Sequence, residues 1–166
     1  VKQKEGWHCP DDMDPVIPMT MIFELFGEIA ESYAEGKILT KIQDIRVFQW
    51  MNVSKPFRES VEVQWINADK LSLNIKKYAE LVAIVGTSRS ISSIQSLDIG
   101  KPLDLSIDAK TIYERHMFHG PAYQGIKSVL NISDKGIKGT ISGSEGKGSL
   151  LDNAGQLFGL WLQLTL

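Results

Sequence analysis

Apolar residues first fall into a helical rhythm after Pro18. Ile22, Leu25, Phe26, Ile29 and Tyr33 recur at three- and four-residue intervals, while Glu24, Glu28 and Glu31 lie off that stripe. The pattern predicts an amphipathic helix over 19–35 with a mostly buried face. Pro18 fits the first turn, where a missing N–H costs little, and Gly36 supplies a stop. The period then changes to two. Alternation is impure over 44–50 but clear in Val61, Val63 and Trp65 and again in Leu71, Leu73 and Ile75. Asn67-Ala68-Asp69-Lys70 between them predicts a hairpin turn. The short apolar run 81–85 continues the sheet.

Residues 87–96 hold five serines and little periodicity, which predicts a connection. Beyond it, 112–118 and 126–132 are β-prone, Asp134-Lys135-Gly136 offers a turn, and 137–141 a further strand. A polar, Gly-rich loop over 143–148 leads into a helix from about 150. Leu151, Ala154, Phe158 and Leu162 share one side of it, with Trp161 beside them and Leu157 and Leu164 further round, so little of it is expected to face solvent. Each half thus carries one helix, and in the second half no strands follow it.

Composition narrows the class of protein. The 166 residues are 43% hydrophobic and 23% charged, with net charge −2, as in an ordinary globular chain. Scattered Lys and Arg argue against a nucleic-acid surface. No apolar run approaches the roughly 18–20 residues of a membrane span. Cys9 is the single cysteine and cannot form an internal disulfide, which fits a reducing, cytoplasmic setting.

Three constellations could carry chemistry. His8-Cys9-Pro10 precedes the first helix. There an imidazole could move a proton while backbone N–H groups near Pro18 and Met19 polarise a carbonyl; a proline-stiffened loop is the plain alternative. Asp152 and Gln156, four apart, share a helical face bordered by apolar residues. Asp152 could cap the helix or respond to its dipole. That plain reading is the default; the functional one is a carboxyl in an apolar site that donates a proton, with Gln156 orienting it. Phe118-His119-Gly120-Pro121 is a turn suited to a pocket wall. His116 and His119 lack supporting ligands at metal spacing, so no metal is expected. Cys9 beside His8 lacks a third group for nucleophilic catalysis. Dinucleotide, P-loop, nucleophile-elbow and zincin motifs do not occur.

Together these segments resemble one family. HCPDDMDPVIPMTM is similar to the His-Cys-Pro…Pro-x-x-Pro-Met segment of dehydratase domains in type I polyketide synthases and polyunsaturated fatty acid synthases. YERHMFHGPAYQGI resembles their Phe-His-Gly-Pro-x-x-Gln-Gly segment, and GSLLDNAGQLFGLW their Leu-Leu-Asp-x-x-x-Gln helix. The resemblance implies an α+β double hot dog, in which antiparallel sheets each wrap a central helix. It divides the chain into 1–90, a linker 91–104 and a partial second hot dog 105–166. Two hot dogs need roughly 250 residues or more, on the scale of a large single domain, so the second is expected to lack its C-terminal strands.

The resemblance also implies a reaction, the dehydration of 3-hydroxyacyl thioesters on acyl carrier protein. His8 would be the base, Asp152 the acid, and Gln156 their support. Pro18 and Met19 would mark the oxyanion region, and Phe118, His119, Gly120 and Pro121 the substrate pocket, with Ile22 and Leu160 further along it. Phosphopantetheine would arrive on the carrier, and no other cofactor is implied. Neighbouring synthase domains and a second copy of the chain are the other implied partners. Asp12, Met117 and His119 stand where many polyketide dehydratases have Gly, Tyr and Tyr, which favours the polyunsaturated-fatty-acid-like or iterative branch. A hot-dog thioesterase and a catalytically silent, carrier-docking domain remain the alternatives.

Overall fold

The computed structural model describes residues 15–56, 58–89 and 97–166. They belong to two compact units that divide near residue 95. The first contains β1 (Val16–Ile17), α1 (Met19–Tyr33), β2 (Ile38–Val47), β3 (Met51–Asn52), β4 (Glu62–Asn67), β5 (Lys70–Ile75) and β6 (Ala79–Gly86). The second contains α2 (Ala109–Thr111), β7 (Ile126–Ser133), β8 (Gly136–Ile141) and α3 (Ser149–Thr165). The fold is mixed α+β with antiparallel sheets. Among the described residues no helix is long and apolar enough to cross a membrane.

In the first unit α1 packs on a four-stranded sheet of order β2-β6-β5-β4. Alternation in β5 and β6 sends Leu71, Leu73, Leu81, Ala83 and Val85 inward to meet Ile22, Phe23, Phe26 and Ala30 of the helix. Burying one large apolar side chain in such a core contributes about 1.5–3 kcal/mol. The 67–70 turn forms as expected, with Asn67 paired to Lys70 and Asn67 Oδ1 accepting from Asp69 N at 3.1 Å. Pro18 is the residue that caps α1, and Met19 opens it.

Two expectations for this unit need correction. Tyr33 is exposed, because the buried stripe runs through Phe23 and Ala30 instead. The impure alternation of 44–50 belongs to a strand that starts earlier, at Ile38. It follows its partner β6 from Ile38↔Gly86 to Val47↔Ala79, with irregularities after Leu39 and Gln43, and Asp44 has φ +53.

In the second unit the hairpin β7–β8 closes through Asp134-Lys135, and α3 packs on it. The stretch 112–118 is not a strand. Thr111 N donates to the Asp108 carboxylate at 2.7 Å, which starts the short α2, and the chain continues as one π turn over Ile112–His116. Its β-prone residues Ile112 and Tyr113 are buried in the core with Ile126 and Leu160, so tertiary packing overrides local preference.

The faces of α3 also differ from expectation. Ser149, Asn153, Gln156 and Leu160 are the buried residues, while Leu151 and Phe158 are each 56% exposed. The helix is turned this way by polar pairing. Asn153 Oδ1 accepts from Gly125 N at 3.0 Å and its Nδ2 donates to Ser142 O at 3.0 Å. Further along, Trp161 Nε1 donates to Ser133 O at 2.8 Å. His116 and Gln163 bond reciprocally, the ring to Oε1 at 3.3 Å and Nε2 to the His116 carbonyl at 3.4 Å.

Gly125 has no room for a side chain. A Cβ there would lie 2.0 Å from Asn153 Nδ2 and 2.2 Å from Ser142 O. Gly125→Ala should therefore destabilise the chain by about 1–3 kcal/mol, the usual cost of overpacking. The measurement is the urea unfolding midpoint, which should fall; a midpoint equal to wild type would mean that the backbone at 125 is not held in this way.

Candidate active site

The start of α3 is set by its loop. Gly148 caps the helix with φ +73, a left-handed conformation that suits glycine, and no side chain caps there. Ser149 Oγ accepts from Ser144 N at 2.9 Å and donates to Ser144 O at 3.1 Å, which anchors the first turn. Asp152 lies at the end of that turn, so its carboxyl is not the cap. Gln156 Nε2, one turn further on, donates to Asp152 Oδ2 at 2.6 Å and to Tyr123 O at 2.8 Å. The helical spacing 152/156 is thus realised as a direct contact.

The turn over 118–123 supplies the opposite wall. Phe118 and His119 stack with ring centroids 4.3 Å apart and an angle of 18°. Pro121–Tyr123 forms a single 3-10 turn after Gly120. Gln124 Nε2 donates back to His119 O at 2.7 Å, closing the loop on itself. This geometry brings His119 Nε2 to 3.5 Å from Asp152 Oδ2, with the two side chains 19% and 17% exposed. Both groups are therefore largely desolvated yet reachable.

Two forces act on the His119 ring. Burial pushes its pKa below the ordinary 6.5, and the Asp152 charge pulls the other way. The Tyr113 hydroxyl accepts from Ile126 N at 2.8 Å. Burial pushes that hydroxyl above its ordinary value, and the charge of Asp152 adds to the shift. Two buried polar atoms of the site, His119 Nδ1 and Gln156 Oε1, have no hydrogen-bond partner among the described residues.

No family model, curated protein or solved structure matches the chain. The site therefore rests on its own chemistry.

The expected residues are distributed as follows. Asp152, Gln156, Phe118, His119, Gly120 and Pro121 gather in the second unit. Pro18 and Met19 lie in the first unit, at the start of α1, where Met19 is 39% exposed. His8 and Cys9 lie outside the described residues. Ile22 and Leu160 do not line an open pocket: at 3% and 0% exposure they are core residues of their own units. Among the described residues no group of three His, Cys, Asp or Glu side chains could hold a metal ion, and His116 serves to fix α3.

Sequence reasoning missed the frame. Gln124, Gly125 and Asn153 hold the turn against the helix; Gln124 and Gly125 stand in the Phe-His-Gly-Pro-x-x-Gln-Gly segment but carried no role there, and the signal for Asn153 is a polar residue inside an apolar helix.

The depressed His119 pKa makes stability depend on pH. The unfolded chain binds this proton near pH 6.5, whereas the folded chain resists it to lower pH. Stability should accordingly fall as pH drops below about 6.5, because the unfolded state then holds more protons. His119→Asn removes the group and should flatten that dependence. Urea unfolding of both proteins at pH 5.5 and 7.5 checks this, and equal pH dependence would refute it.

Proposed function

We propose that the chain dehydrates a 3-hydroxyacyl thioester carried on acyl carrier protein to the enoyl thioester. The observation that carries this reading is the Asp152 carboxyl, largely desolvated and clamped by Gln156 at 2.6 Å. Such a group can deliver a proton to a poor leaving group such as hydroxide. The exposed Phe118 ring, stacked on His119, offers an acyl chain an apolar contact. An open groove lined in part by Tyr113, Gln124 and Ile126 adjoins the same frame.

In this reading His8 takes the C2 proton. Backbone N–H groups at the start of α1, by Pro18 and Met19, stabilise negative charge on the thioester oxygen. Asp152 protonates the departing C3 hydroxyl, and Gln156 orients the carboxyl. The roles of His8, Pro18 and Met19 rest on their sequence motif. The same reading takes the two units as a double hot dog, which is supported by a helix packed on an antiparallel sheet in each. Its partners are acyl carrier protein and neighbouring synthase domains in the cytoplasm, with phosphopantetheine supplied by the carrier and no resident metal.

Acid–base assistance of this kind is typically worth about 10²–10⁴-fold per group. Asp152→Asn and His8→Ala should each lower turnover of a 3-hydroxyacyl-carrier thioester by that order, read by mass as loss of water. Turnover near wild type in Asp152→Asn would remove the acid from the mechanism. Release of free thiol in place of an enoyl product would identify hydrolysis instead.

A further inference from the structure

His119 and Asp152 are held face to face by independent restraints. The ring is stacked on Phe118, and its backbone carbonyl accepts from Gln124. The carboxyl is fixed by Gln156, whose amide has only one satisfactory orientation. Its Nε2 points at two acceptors, Tyr123 O and Asp152 Oδ2. Exchanging nitrogen for oxygen would set an acceptor against the Tyr123 carbonyl. The 3.5 Å approach of His119 Nε2 to Asp152 Oδ2 is therefore built into the turn and the helix.

Two titratable groups this close and this desolvated do not ionise independently. With one proton between them they have two forms, a carboxylic acid beside a neutral imidazole and a carboxylate beside an imidazolium. Both have the same net charge. Among the titratable groups near them, Tyr113 feels the Asp152 charge while its hydroxyl accepts from Ile126 N, and the Tyr123 hydroxyl donates to Lys147 O. Phe118, Gln124 and Gln156 do not titrate.

We propose that His119 and Asp152 hold one proton in common, and that this pair, not Asp152 alone, is the proton donor of the site. The sharing follows from geometry; the destination of the proton rests on the dehydration reading. In that step the C3–O bond breaks with its electron pair going to oxygen. The oxygen takes the proton from Asp152 Oδ2 and departs as water. The C2–H proton goes to the base, and its electron pair becomes the C2=C3 bond. Asp152 is left as carboxylate beside a neutral ring, and the pair takes its next proton from solvent. His119 acts through Asp152 and is a positioning residue.

Sharing makes specific demands on titration. Ring-nitrogen NMR of the full chain, with His119→Asn to assign the signal, follows His119 in wild type and in Asp152→Asn. Because the carboxylate favours the imidazolium, His119 should titrate at lower pH in Asp152→Asn than in wild type. An unchanged or higher titration point would overturn the shared proton whatever the chain catalyses. The kcat–pH profile then tests the donor. A lone carboxyl gives up its last proton at lower pH than a pair with two places for it. The basic limb of kcat in His119→Asn and His119→Gln should therefore move to lower pH, and a move of one unit reads as roughly tenfold lower kcat on the falling side. Equal loss at every pH would reduce His119 to a structural role and overturn the pair as donor. Coupled titration in a chain that forms no enoyl product would leave the shared proton standing and remove the dehydration reading.

Discussion

Asn153 is fully buried in a helix that has apolar residues to spare. Its amide satisfies one backbone donor, Gly125 N–H, and one backbone acceptor, Ser142 carbonyl. Left unpaired, each would cost roughly 1–3 kcal/mol. That requirement is directional in a way that hydrophobic burial is not. It fixes which side of α3 faces the hairpin, and so which residues stand one position before and one turn after it. Asp152 and Gln156 reach the 118–123 turn because Asn153 has already set the rotation of the helix.

The electrostatics of the site follow from the same packing. Partial burial works against charge on His119, and the neighbouring carboxylate works for it. Tyr113 feels both burial and the same negative charge. These opposed effects come from two short segments that meet in space, the turn after Met117 and the first turns of α3.

Much of the first unit was legible in the sequence. The helical stripe after Pro18 and the alternation of β5 are strong because each element buries one face, and period then reports burial; β4 alternates in sequence yet stays largely exposed, with Trp65 on the surface. The 152/156 contact was legible for a similar reason, being local to one helix. The failures share a cause as well. Leu151 and Phe158 suggested the inner face of α3, but polar pairing by Asn153 and Gln156 turned it otherwise. Ile112 and Tyr113 favoured a strand, but Asp108 and core burial made a helical turn. The approach of His119 to Asp152 joins residues 33 apart in sequence. No local pattern encodes that distance; it depends on Gln124 closing the turn and Gly125 permitting close approach.

The tryptophan near the far end of α3 has a role beyond its packing. Trp161 bonds to the carbonyl of Ser133, eight residues after Asn153 has bonded to Gly125 and Ser142. Two attachment points about 12 Å apart along a helix of 1.5 Å rise fix its axial register as well as its rotation. A slide of one residue would break both attachments together and swing the Asp152 carboxyl through about 100°. The helix behaves as a ruler pinned at two marks, and the carboxyl is a graduation between the turn it faces and the sheet that holds the far end.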